Sequence, residues 1–222
     1  MHNDIKHNPV SVLRRTALAL ALATSCGLAA ASVVHVTIDT ASFGVAAGFI
    51  DMNLSAAAAV PLATATVTNL AGFQSAPYIE SWGLTGVAGG WRFRNDTSND
   101  LFQSVDFGGP LSFDLDFQGA ADPATSYVST FAVSAFGADG MTPLGHYDPL
   151  TGALAEFAWT PAPVAGADGH LGVRVVDPNV TVIPEPGHCA LLGIGLGALA
   201  LARRKRTASR AEGLPEECTT AA

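Results

Sequence analysis

The sequence predicts an all-β domain, an antiparallel β-sandwich or jelly roll of about eight or nine strands, held between two apolar terminal segments. Three observations carry that expectation. Residues 32–183 alternate apolar and polar side chains in short runs, Gly, Pro and Asp turns punctuate the runs every 8–12 residues or so, and no window keeps a helical period.

The runs follow in order. Val34, Val36 and Ile38 alternate with His35, Thr37 and Asp39, and then Phe49, Asp51 and Asn53 alternate with Ile50, Met52 and Leu54. Residues 64–68 are threonine-rich and β-prone, and Trp91 and Phe93 alternate with Arg92 and Arg94. Val105 and Phe107 lead into the turn Gly108-Gly109-Pro110. Beyond it Leu111, Phe113, Leu115 and Phe117 alternate with Ser112, Asp114, Asp116 and Gln118, the cleanest period-two run in the chain. Phe131, Val133 and Ala135 repeat the pattern up to Gly137-Ala138-Asp139-Gly140, and segments 153–159 and 173–176 close the series. No internal repeat is present.

A length of 222 residues allows one or two domains, and the body alone is long enough to bury a core of its own. Its charge is lopsided. Between residues 32 and 183 stand fourteen Asp and Glu against Arg92, Arg94 and Arg174, a formal charge of −11 where the whole chain carries −8. Such a surface repels phosphate backbones, so nucleic acid is not an expected partner. Cys26, Cys189 and Cys218 all fall in the terminal segments, which leaves the body without a disulfide scaffold or a thiolate metal site.

The N-terminus reads as a secretory signal over 1–31. Lys6, Arg14 and Arg15 form its basic region, 17–23 its apolar stretch, and Ala29 and Ala31 the small residues before a cleavage point at Ser32. The other reading, an amphipathic helix of the mature protein, would need a polar face that 17–23 lacks. A lipoprotein box at Cys26 would need Leu where Ala23 stands.

At the C-terminus, Pro184-Glu185-Pro186 ends a β-prone run, an uncharged stretch fills 189–202, and Arg203, Arg204, Lys205 and Arg206 follow at once. At 1.5 Å per residue the uncharged stretch spans about 20 Å, short of a hydrocarbon core of about 30 Å. That suits a transient signal better than a permanent anchor. The order of motif, apolar helix and basic cluster over 184–206 resembles the PEP-CTERM sorting signal of exported proteins in exopolysaccharide-producing Gram-negative bacteria. The polar tail 207–222 departs from that pattern, because such signals end soon after the basic cluster.

The resemblance implies passage through the Sec translocon and recognition by an exosortase at an inner-membrane stage, with membrane contact through the C-terminal helix. It also implies delivery to the outer surface or the exopolysaccharide matrix of a biofilm. Parts of the body, HVTIDT (35–40), AGFIDMNL (47–54), TATVTNL (64–70) and LFQSVDFGGPLSFDLDF (101–117), are similar to a family of such proteins. That likeness bears on architecture and sorting and implies no mechanism.

Catalytic constellations are sparse. His35, His146 and His170 lie in separate elements, the body has no lysine, and no nucleophile elbow or phosphate-binding loop occurs. Asp114 and Asp116 share one strand face, with Asp106 on the preceding run, and paired carboxylates serve glycoside hydrolysis when they face one cleft. Alternating Asp on a strand is more often the solvated side of a half-buried sheet. Asp96, Ser98 and Asp100 set oxygen ligands at alternate loop positions, a calcium candidate without the glycine and distal glutamate of an EF-hand, and an ordinary Asx-turn is the commoner reading of such a loop. Trp82, Trp91, Trp159, Tyr78 and Tyr127 supply rings for either a core or a sugar-stacking platform.

The expectation is a non-enzymatic, cofactor-free exported protein with a structural or adhesive role. A carbohydrate- or calcium-binding module acting on the matrix is the alternative.

Overall fold

The computed structural model describes residues 33–185, apart from residues 125, 166 and 168. The expected signal peptide with Ala29 and Ala31, both flanking apolar helices, Pro186, the cluster Arg203, Arg204, Lys205 and Arg206, and the 207–222 tail lie outside the described residues. Among the described residues no helix is long and apolar enough to cross a membrane.

The body is all-β, in two antiparallel six-stranded sheets. In chain order the strands are β1 (Val33–Asp39), β2 (Ala47–Ala56), β3 (Ala63–Ala71), β4 (Ile79–Trp82), β5 (Thr85–Val87) and β6 (Gly90–Arg94). The rest are β7 (Asp100–Asp106), β8 (Pro110–Gly119), β9 (Ser129–Gly137), β10 (Ala155–Thr160), β11 (His170–Val175) and β12 (Val180–Pro184). One sheet runs β12-β1-β8-β3-β6-β5 and the other β11-β10-β9-β2-β7-β4.

The β-sandwich expectation holds, with twelve strands among the described residues in place of eight or nine. The three missed strands are the edge strands β4, β5 and β12. All four residues of β4 are exposed, β5 has only three residues, and β12 runs into a proline, so none shows the alternation by which a half-buried strand is recognised.

Where alternation is clean, it sorts side chains as expected. In β8, Leu111, Phe113, Leu115 and Phe117 are buried, while Ser112, Asp114 and Asp116 are half-buried on the opposite face. Phe131 of β9 sits at the centre of the core. Its ring meets Phe93 at 5.1 Å and 88°, Phe117 at 6.3 Å and 88°, and Phe157 at 6.3 Å and 61°. Edge-on ring contacts that bridge both sheets favour one fixed packing over a slippery apolar layer.

Pro184 belongs to the ladder as well as ending it. It pairs with Val34 on the outermost strand, where a missing N–H costs the sheet nothing, and the Glu185 N–H donates to Val33 O at 3.0 Å. The described chain therefore enters and leaves at one corner, formed by β1 and β12.

Candidate functional site

The loop 95–99 carries the chain from β6 in one sheet to β7 in the other, and asparagines fasten both its ends. Asn95 Oδ1 accepts from Ala63 N at 2.8 Å, while its Nδ2 donates to Pro61 O at 2.9 Å and Ser129 Oγ at 3.0 Å. Asn99 Oδ1 accepts from Leu54 N at 2.7 Å and its Nδ2 donates to Leu54 O at 2.8 Å, so the side chain stands in for one more ladder residue beside β2. Both amides are buried and fully employed. Neither stands out in the sequence, where an asparagine beside a short polar loop reads as a turn residue.

With its ends fixed, the loop forms one wall of an open groove of about 820 Å³. Trp82, 51% exposed, lines the groove beside its cross-strand partner Asp100, and residues 55–60 complete the rim. Gly83 holds that arrangement. It has φ +67°, and a Cβ there would collide with the carbonyl of Ser98, so only glycine lets the strand end carrying Trp82 approach the loop.

Across the strands next to the groove, Trp82 and Asp100 are register partners and project from the same face of their sheet. Asp100 in turn is hydrogen-bonded to Asp51 on β2. Burial, reinforced by the hydrogen bond and the charge of Asp100, pushes the Asp51 carboxyl up to about 8, so Asp51 keeps its proton at neutral pH. Asp51 Oδ1 is buried without a hydrogen-bond partner.

The calcium candidate is only partly assembled. Asp96 is held by Arg94 in a two-pronged pair, Nε to Oδ1 at 2.9 Å and Nη2 to Oδ2 at 2.5 Å, and the guanidinium draws the carboxyl below its usual range. Asp100 is engaged with Asp51, and among the described residues no three His, Cys, Asp or Glu side chains gather as a metal site would require. Asp96, Ser98 and Asp100 do share the groove wall, as polar groups along its length.

The carboxylates Asp106, Asp114 and Asp116 do not meet. Asp106 lies on β7 of one sheet, where Gln74 Nε2 donates to it at 2.7 Å, and the other two lie on β8 of the opposite sheet. Asp114 accepts from Asn69 Nδ2 at 2.5 Å and pairs with His35 Nδ1 at 2.6 Å. Burial pushes its pKa up, but the hydrogen bonds from Asn69 and His35 outweigh that, and the carboxyl ends below its ordinary value. Gln118 Nε2 donates to Asp116 at 2.9 Å.

The aromatic residues are scattered too. Trp159 is buried in the core, Trp91 packs against it, Tyr78 meets Phe49 edge-on at 6.4 Å, and Tyr127 is exposed away from the groove. Of the five rings, Trp82 alone lines the groove. No family model matches this chain, nor does any curated protein or solved structure.

Proposed function

We propose that this chain is an exported, non-catalytic adhesive protein of the cell surface or exopolysaccharide matrix, and that the groove beside Trp82 is where it holds polysaccharide. The single observation behind this is the half-exposed indole of Trp82 lining one groove together with hydroxyl and carboxyl side chains. A pyranose ring offers an apolar C–H face, which suits a flat ring, and an equatorial belt of hydroxyls, which suits polar groups around it. Ser55, Thr97, Ser98 and Asp100 supply such groups at the rim. The strongly acidic body favours a neutral polymer over a uronate-rich one.

Binding of the full-length chain to immobilised neutral polysaccharides tests this directly. Trp82→Ala should weaken the best binder about ten- to a hundredfold, the cost of one stacking platform of about 1–3 kcal/mol. Unchanged binding in that variant would sink the groove reading.

The sorting half of the proposal rests on the ordered segment Pro184-Glu185-Pro186, 187–202 and 203–206. A cut beyond Glu185 would leave the β12 ladder complete, so processing is compatible with a folded body. Replacing 184–186 with alanines should change the intact mass or surface retention of the mature protein. Identical fractionation of variant and wild type would refute it.

A further inference from the structure

All four residues of β4 are exposed, so the strand buries no side chain in the core and is held by its backbone ladder to β7. That ladder continues one residue upstream. The Ser104 N–H donates to Tyr78 O at 2.9 Å and the Tyr78 N–H donates to Ser104 Oγ at 2.8 Å, so Tyr78 faces Ser104 as Trp82 faces Asp100. Side chains alternate along a strand, which puts Tyr78, Glu80 and Trp82 on one face and Ile79 and Ser81 on the other. The Tyr78 ring meets that of Phe49, whose neighbours Gly48 and Ile50 point into the core, and this marks the shared face as the outer one.

Tyr78 is 61% exposed, more than Trp82 at 51%, yet it is held at both backbone and ring. The Ser104 hydroxyl that fixes its backbone donates in turn to Gln74 Oε1 at 2.8 Å. Its ring stands edge-on to Phe49 at 6.4 Å and 80°, and Phe49 is itself stacked on Phe102 at 4.4 Å and 17°. A ring that is open to solvent and already ordered gives up little freedom when a ligand covers it. Burial in the core does not account for such a residue, whereas presentation to a ligand does.

We propose that Tyr78 is a second stacking subsite in line with Trp82, and that the polymer lying along β4 is an extended neutral glycan of the cellulose type. This rests on the polysaccharide reading of the Trp82 groove and adds the length and shape of the ligand. Four residues of strand separate the two positions by about 13 Å. Sugars joined by one glycosidic bond lie much closer together than that, so a chain stacked on both rings carries at least one sugar between them. An extended chain keeps to the line of a strand, while a helical or branched one leaves it. Glu80, exposed between the two rings, accepts from the hydroxyls of the intervening sugar and repels a uronate in that place.

Calorimetry of the full-length chain with cellobiose, cellotetraose and cellohexaose tests the proposal. Affinity should rise by about tenfold from cellobiose to cellotetraose, the gain from a second stacked ring, and change little from there to cellohexaose. Tyr78→Ala should abolish the rise and leave cellobiose binding unchanged. Tyr78→Phe should keep the rise, because the ring and not the hydroxyl does the stacking. A flat series in wild type, a rise that survives Tyr78→Ala, or saturable binding of none of the three sugars would overturn the proposal. Trp82→Ala on immobilised neutral polysaccharide then shows which reading has failed. If that variant still binds less than wild type, the groove stands and only the subsite at Tyr78 falls. If it binds as wild type does, the groove reading falls with it.

Discussion

Asp114 and Asp51 occupy equivalent places, each the half-buried polar member of an alternating strand on the outer face of its sheet, yet the fold treats them oppositely. On β8, Asp114 receives hydrogen bonds from Asn69 on β3 and His35 on β1, and these favour its charged form. On β2, Asp51 finds the carboxyl of Asp100 on the adjoining strand and keeps a proton up to a pKa of about 8. A carboxyl becomes structural or poised according to what the neighbouring strands place beside it. That is a property of register, set by long-range pairing and invisible along the strand itself.

The largest effect that would break this contrast is a reversal of pH dependence. The folded pKa of Asp51 is raised above its unfolded value, so the folded state binds the extra proton between about pH 4 and pH 8. Stability therefore falls as pH rises through that window, by an amount on the order of 5 kcal/mol at about 1.4 kcal/mol per pH unit, and the penalty is complete above it. Asp51→Asn should remove this decline and raise Tm at pH 9. Chemical denaturation at pH 5, 7 and 9 measures it. A wild-type curve that rises steadily to pH 8 would place the proton elsewhere.

Gly83→Ala comes next, because it displaces Trp82 without touching either carboxyl. A left-handed alanine costs about 1–2 kcal/mol, and the collision with Ser98 adds to it. Both Tm and polysaccharide affinity should drop, the affinity nearly as far as in Trp82→Ala. A variant that melts early but binds normally would mean that Gly83 serves folding alone and leaves the groove wall to other contacts.

How much of this was legible in the sequence depends on range. The β-sandwich was visible because strand alternation is local: Leu111, Phe113, Leu115 and Phe117 announce their buried face in seven residues. The edge strand Ile79–Trp82 was invisible, being exposed throughout and held by backbone pairing to Asp100–Gln103. Asp96, Ser98, Asp100 and Trp82 were each noticed, but nothing in their spacing says that Gly83 brings the last against the first three. Asp106, Asp114 and Asp116 stand out because they are crowded in sequence, whereas the perturbed carboxyl, Asp51, lies 49 residues from its partner Asp100. Asn95 and Asn99 carry no local mark, because a clamping asparagine and a turn asparagine look alike until their partners are known.

Asp114→Asn should produce a smaller change of the opposite sign to Asp51→Asn. The folded pKa of Asp114 is depressed, so its contribution is present above the unfolded value near 4 and fades as pH falls through the folded one. The variant loses one acceptor for Asn69 or His35, about 1 kcal/mol at neutral pH, or roughly 2–4 °C in Tm for a domain of this size. Asp114→Asn and wild type should converge once pH has fallen below the folded pKa of Asp114. Persistent separation there would trace the loss to packing rather than charge.

The smallest effect should come from Asp96, the loop carboxylate that its spacing marked for calcium. Its pair with Arg94 leaves both side chains 44% exposed, and an exposed pair between residues two apart loses in side-chain entropy and solvent screening most of what it gains. Asp96→Ala should leave Tm within about 1 °C of wild type. Calcium should do equally little to wild type, because Asp96 already faces a guanidinium and Asp100 faces Asp51, so binding would have to break two existing contacts before forming any. Arg94→Ala sharpens the point by freeing Asp96 while leaving the Asn95 and Asn99 clamps untouched. If calcium raised Tm in Arg94→Ala but not in wild type, the guanidinium would be the element that keeps metal out. If it raised Tm in wild type, the groove wall would have to be read as a cation-dependent polysaccharide site.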